Sequence, residues 1–105
     1  MDENLLRERV IEQLMTVRDP EIPVNIWDLG LVYDILFPAE GEVRVRMTLT
    51  APGCPIADEI AEEAREAAAR VEGVQRAEVE LVFDPPWGPE RMSETARLEL
   101  GFDVF

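Results

Sequence analysis

The sequence predicts a two-layer α/β sandwich: a three-stranded mixed sheet with helices on one face, in the order α-β-β-α-β-α. Three observations predict it. Residues 5–18 and 55–71 repeat apolar side chains at helical spacing. Residues 31–37, 43–50 and 77–83 alternate apolar and polar side chains with period two. One helical stretch separates the second and third strands, so they run the same way with a right-handed crossover. The 105 residues suit one domain, 1–105.

In the first helix Leu6, Val10, Leu14 and Val17 recur at i, i+4, i+8 and i+11, and Leu5, Ile11 and Met15 widen the stripe. Asp19-Pro20 ends it, because proline disfavours helical backbone at the residue before it. Residues 19–30 fit no period. Two prolines and a closing Gly30 make a long loop with room for a short turn of helix, and loops of this length in compact domains are often functional.

The first strand sets Leu31, Tyr33, Ile35 and Phe37 on one side and Val32, Asp34 and Leu36 on the other. Pro38 to Gly41 suits a hairpin connection. The second strand points Val43, Val45, Met47 and Leu49 inward and Arg44, Arg46, Thr48 and Thr50 outward. Ile56, Ile60, Ala64, Ala67 and Val71 line the second helix in an alanine-rich background that favours helix. Pro55 suits its first position and Gly73 follows its end. The third strand turns Ala77, Val79, Leu81 and Phe83 inward and Glu78 and Glu80 outward. Arg44 and Arg46 facing Glu78 and Glu80 favour the second strand in the centre without fixing the strand order. Residues 84–92 form a proline-rich loop, and Ser93 caps a last helix through about Leu100.

Charge and residue usage exclude whole classes of function. There are 23 acids against 10 bases, a formal charge of −13. That field repels phosphate backbones and anionic lipid, so neither nucleic acid nor a membrane surface is expected as partner. No stretch approaches the ~18 apolar residues of a membrane span. Met1-Asp2-Glu3-Asn4 is acidic where a secretory signal is basic, so the expected compartment is the cytoplasm. All ten bases are arginine, and His is absent. Ser-His and Cys-His dyads, imidazole metal ligands, lysine Schiff bases and lysine phosphate loops are thereby removed. The single Cys54 permits no disulfide within the chain and no four-cysteine metal site from one chain.

Topology then gathers the remaining candidates. The loop entering the first strand and the loops leaving the second and third strands lie at the same end of the sheet. Seven of the eight prolines sit in or beside these loops. Cys54 follows Pro52-Gly53 and precedes Pro55. As cap of the helix that Pro55 opens, its thiolate would be favoured by helix amides and macrodipole. The net negative charge opposes this, and a single cysteine can equally be an inert small hydrophobe. Asp19, Glu21 and Asp28 can ligate a metal or meet a partner's arginine; as turn residues, Asp28 can brace the turn into Gly30 and Asp19 can close its own. Thr48 and Thr50 lie beside the cysteine loop, where β-propensity alone also accounts for them. Trp87, in Pro85-Pro86-Trp87, and Trp27 can act as lid or partner anchor, or pack over the sheet end.

Four segments carry a family resemblance: DPEIPVNIWDLGLVYDI (19–35), MTLTAPGCP (47–55), DPPW (84–87) and MSETARLELGF (92–102). Together, over nearly the whole chain, they resemble the SufT-like and PaaD-like metal–sulfur cluster assembly family. The resemblance implies an α/β domain like the carboxy-terminal domain of NifU-type scaffold proteins. It also implies a non-catalytic accessory role in iron–sulfur cluster assembly or transfer to apoproteins. The family cysteine matches Cys54, its DPEIP-type segment matches Asp19 through Pro23, and its DLG segment matches Asp28 through Gly30. PaaD-like members, accessory to phenylacetyl-CoA ring-oxygenase maturation, carry a cysteine-bearing tail. This sequence reaches Phe105 without a second cysteine, which favours the SufT-like side.

One thiolate cannot fill a cluster that normally takes four. On this reading Cys54 acts in a homodimer, as ligand to a transient iron–sulfur cluster bridging two chains, or shares it with a scaffold or recipient apoprotein. Thr50, Pro52, Gly53 and Pro55 shape its loop, and Asp19, Glu21, Asp28 and Trp87 are the candidate metal or partner contacts. Two other classes compete. A thiol-dependent redox protein would need a base or resolving thiol, which is absent. A pure interaction module would use the acidic surface to dock a basic partner.

Overall fold

The computed structural model describes residues 3–18, 24–49 and 57–101. The elements are α1 (Glu3–Leu14), β1 (Val32–Leu36), β2 (Glu42–Met47), α2 (Ala57–Ala69), β3 (Arg76–Leu81) and α3 (Glu94–Leu100), with a 3-10 turn at Pro89–Arg91. The sheet order is β1-β2-β3, β1 antiparallel and β3 parallel to the central β2. Element order and strand directions are those the residue pattern predicts, and the structure fixes the strand order, with the second strand central as the facing charges favour.

The sheet has two unlike faces. Val43, Val45 and Met47 of β2 and Ile35 of β1 are buried with Leu6, Val10 and Leu14 of α1 and Ile60, Ala64, Ala67 and Ala68 of α2. Full burial of each Leu, Ile or Val side chain is worth about 1.5–3 kcal/mol. α2 packs on β2 and β3, and α1 on α2. Arg7 of α1 donates from Nη1 to the Ile35 carbonyl at 2.8 Å and lies over the Phe37 ring at 5.3 Å. No described helix is long and apolar enough to cross a membrane.

The other face carries charge in register. Arg44 lies opposite Glu78 and Arg46 opposite Glu80. Their Nε–Oε1 distances are 2.6 and 2.7 Å. The hydrogen bond from Arg46, then its charge, holds the Glu80 carboxyl below the ordinary carboxylate range, and Glu80 raises Arg46 in return. On α2, Arg65 does the same to Glu62 one turn away.

The structure departs from the residue pattern at element ends. α1 starts at Glu3 and stops at Leu14, four residues before the predicted end. Met15 and Thr16 form a turn closed by the Val17 N–H on the Leu14 carbonyl, 3.1 Å. Val17 is buried because Ile26 pairs with it (N–H to O 2.8 Å), not because it continues the helical stripe. Leu5 and Met15, predicted to widen that stripe, are each 40% exposed. An irregularity between Val32 and Asp34 resets the alternation of β1. Phe83 is exposed rather than inward, since β3 ends at Leu81. Thr48 is 1% exposed rather than outward: it lies past the end of β2 at Met47, with its N–H on the Leu31 carbonyl.

Candidate functional site

β1 starts, and β2 and β3 end, at one edge of the sheet. The loop entering β1 builds the first wall. Asn25 Oδ1 accepts the Asp28 N–H at 2.9 Å, and Asn25 Nδ2 donates to Asp28 Oδ2 at 2.8 Å. Leu29 N–H donates to the Asn25 carbonyl and Gly30 N–H to that of Trp27, both at 3.0 Å. This is the short helical turn the loop had room for. It closes on Gly30 at φ +80°, a backbone conformation that glycine adopts without steric penalty. Ile26, Leu29 and Leu31 are fully buried, so the loop is fixed by its own apolar side chains as well as by hydrogen bonds.

The loop leaving β3 is strapped onto this wall. Trp87 Nε1 donates to the Leu29 carbonyl at 2.7 Å, and the Tyr33 hydroxyl to the Pro85 carbonyl at 2.8 Å. Ser93 N–H donates to the Asp28 carbonyl at 2.8 Å, while its hydroxyl accepts the Ala96 N–H and caps α3, as predicted. The Arg91 guanidinium lies 4.4 Å from the Tyr33 ring centroid, a cation–π contact. Met92 is buried.

The exit of β2 lies between them. Thr48 N–H donates to the Leu31 carbonyl and Val82 N–H to the Met47 carbonyl, both at 2.8 Å. Leu49 is 4% exposed. α2 begins at Ala57 and returns the chain toward β3. Cys54, Thr50, Pro52, Gly53 and Pro55 fall in the intervening segment, outside the described residues, as do Asp19 and Glu21.

Two candidate contacts are described, and each has an internal partner. The Asp28 carboxylate is held by Asn25, which realises the turn-bracing alternative. Trp87 packs against the core with its indole N–H on Leu29, and Trp27 is also partly buried there. Among the described residues no group of three or more His, Cys, Asp or Glu is placed to hold a metal ion.

Residue-level reading missed Asn25, Tyr33 and Arg91. The Asn25–Asp28 spacing is itself an Asx-turn signal and could have found the first. The Arg91–Tyr33 contact joins residues far apart in sequence and leaves no local signature. Trp87→Phe keeps the ring, deletes the donor and leaves the Leu29 carbonyl unpaired. It is expected to cost about 1–2 kcal/mol in urea unfolding; no loss would show that the strap does not stabilise the loops.

The iron–sulfur cluster assembly protein family model matches residues 7–81. An Fe-S protein maturation auxiliary factor of Porphyromonas gingivalis is 52% identical over 95 residues, 90% of each chain. The Fe-S protein maturation auxiliary factor SufT of Staphylococcus aureus is 40% identical over 85 residues, 81% of this chain and 97% of that one. A solved domain of unknown function from Bacillus anthracis superposes with a TM-score of 0.87 at 36% identity, covering 93% of both chains. The resemblance of the four segments, the shared α+β fold and the extent of these matches agree: the chain belongs to the iron–sulfur cluster assembly protein family.

Proposed function

We propose that this protein is an accessory factor that helps assemble iron–sulfur clusters or pass them to apoproteins, with Cys54 as the thiolate that touches the cargo. The names of its relatives support the accessory role. The observation that carries the site is the buried exit of β2. Thr48 is tied to Leu31 and Leu49 is 4% exposed, between two loops strapped to each other. The segment bearing Cys54 therefore departs from a rigid base.

The ligand count sets the mode of action. With one Cys and no His per chain, at least three of four cluster ligands come from elsewhere. A second copy can supply one of them and a partner protein the rest, and the cluster is cargo held briefly rather than a resident group. Carboxylates such as Asp19 and Glu21 are poor substitutes for sulfur with soft ligand sets; their proposed part, with Asp28 and Trp87, is contact with the partner. The partners are scaffold proteins and recipient apoproteins, in the cytoplasm, and the factor turns over no substrate of its own.

The test is anaerobic incubation with iron and sulfide, alone and with a scaffold protein, reading the visible spectrum and the mass of the coloured species. The expected colour is labile, sits on two chains or on the complex with the scaffold, and is lost in Cys54→Ser. A stable cluster on a single chain, or colour unchanged in the serine variant, would overturn the reading.

A further inference from the structure

The two edges of the sheet are finished differently. On β1, the Ile35 N–H donates to Asp34 Oδ1 at 2.9 Å and the Ile35 carbonyl accepts Arg7 Nη1 at 2.8 Å. Both groups at the middle of that edge strand are thus engaged by side chains, a common device against unwanted strand pairing. Among the described residues β3 has no such cover. Arg76 N–H donates to the Gly41 carbonyl at 3.0 Å and Val82 N–H to the Met47 carbonyl at 2.8 Å, which fixes the phase of the parallel ladder. Peptide groups alternate along a strand, so those of residues 76, 78, 80 and 82 face β2. Those of Ala77, Val79 and Leu81 face away from it, and no described residue bonds them.

The side chains along this edge are equally patterned. Ala77, Val79 and Leu81 pack against the core yet stay partly exposed, and among the described residues no strand lies on their outer side. On the outer face two rows cross the sheet: Leu36, Arg44, Glu78 and Asp34, Arg46, Glu80. Each row ends at the edge on a glutamate.

We propose that the β3 edge docks an extended segment of a partner protein that alternates apolar and basic residues, added as a fourth strand. Backbone bonds to Ala77, Val79 and Leu81 would supply the pairing, as in β-strand addition generally. Apolar side chains of the segment continue the inner face. Its arginines or lysines stand beside Glu78 and Glu80 and extend both rows. The net charge of −13 draws such a segment in. A second copy fits poorly. A two-fold antiparallel pairing centred on Glu78 sets that residue against itself, one centred on Val79 sets Glu78 against Glu80 of the second copy, and one centred on Ala77 sets Glu78 against Arg76 but pairs only three residues of the strand. Like charges directly opposite are destabilising.

The test uses the full chain and a capped peptide of alternating valine and arginine, read by amide hydrogen exchange. In the free protein the Ala77, Val79 and Leu81 amides are expected to exchange fast and those of Glu78 and Glu80 slowly. The peptide should slow the first three by about tenfold or more, with the effect weakening as salt rises. Glu78→Gln with Glu80→Gln should weaken the effect several-fold, while Cys54→Ser should leave it unchanged, which separates docking from the cysteine's role. Absence of protection, protection elsewhere on the molecule, or equal protection by a glutamate-for-arginine peptide would overturn the proposal. So would protection of these amides without peptide that grows with protein concentration, which would assign the edge to a second copy.

Discussion

Cys54→Ser is expected to fail to restore iron–sulfur enzyme activity, aconitase for example, to a strain lacking this protein, while folding as well as the unmodified chain. The two halves of this expectation have separate physical causes. Serine is nearly isosteric with cysteine and is a better helix cap than most residues. Pro52 and Pro55 restrict the backbone around position 54 whichever side chain stands there. The stability change should therefore stay within about 1 kcal/mol, as for surface substitutions. The chemistry changes completely, because a hydroxyl stays protonated at neutral pH and is a poor ligand for soft metal–sulfur centres. Complementation by either form, with a melting curve of each purified protein, reads both halves. Equal rescue by the serine form would remove Cys54 from the mechanism and move attention to the acidic loop 19–30. A serine form melting far below the unmodified protein would refute the claim that position 54 carries function without stability.

How much of this could be read from residues alone depends on whether the signal is local. The salt-bridged rows of the sheet were legible because period-two alternation fixes which side chains share a face. Two arginines on one strand and two glutamates on the next then find each other once the strands are parallel. Ser93 was legible for the same reason: a cap and its helix are neighbours in sequence. Convergence of the proline-rich loops followed from strand direction, and the Trp87–Leu29 and Ser93–Asp28 bonds join two of those loops as that topology requires. Thr48 and Phe83 were misread because alternation was carried past the true strand ends. Thr48 lies beyond Met47, where the strand's alternation no longer assigns its face, and it is buried. Val17 was given its burial correctly and for the wrong reason, since a buried residue one turn past a helix keeps the same spacing as a residue in it.

Gly30→Ala is expected to be among the most destabilising single-methyl additions in this chain. Gly30 has φ +80°, where an alanine is strained by about 1–2 kcal/mol. A Cβ built there would also sit 2.6 Å from the carbonyl carbon of Arg91 and 2.8 Å from the Arg91 Cβ. Real side chains do not approach backbone that closely, so the 3-10 turn at Pro89–Arg91 must move, and overpacking of this kind costs about 1–3 kcal/mol more. Together the two effects amount to about 2–5 kcal/mol, or roughly 10–25 °C in melting temperature for a chain of this size. Gly101 supplies the control. It has φ +80° as the C-cap of α3, and nothing lies within 4 Å of its Cβ position. Gly101→Ala should therefore show the backbone cost alone, about 1–2 kcal/mol. The difference between the two variants isolates the contact between the loop entering β1 and the loop leaving β3. Displacing that contact pulls Trp87 away from the Leu29 carbonyl, so tryptophan emission should shift to the red in Gly30→Ala and not in Gly101→Ala. Equal melting temperatures for the two variants would mean that the Arg91 backbone yields freely and that these loops do not clamp one another.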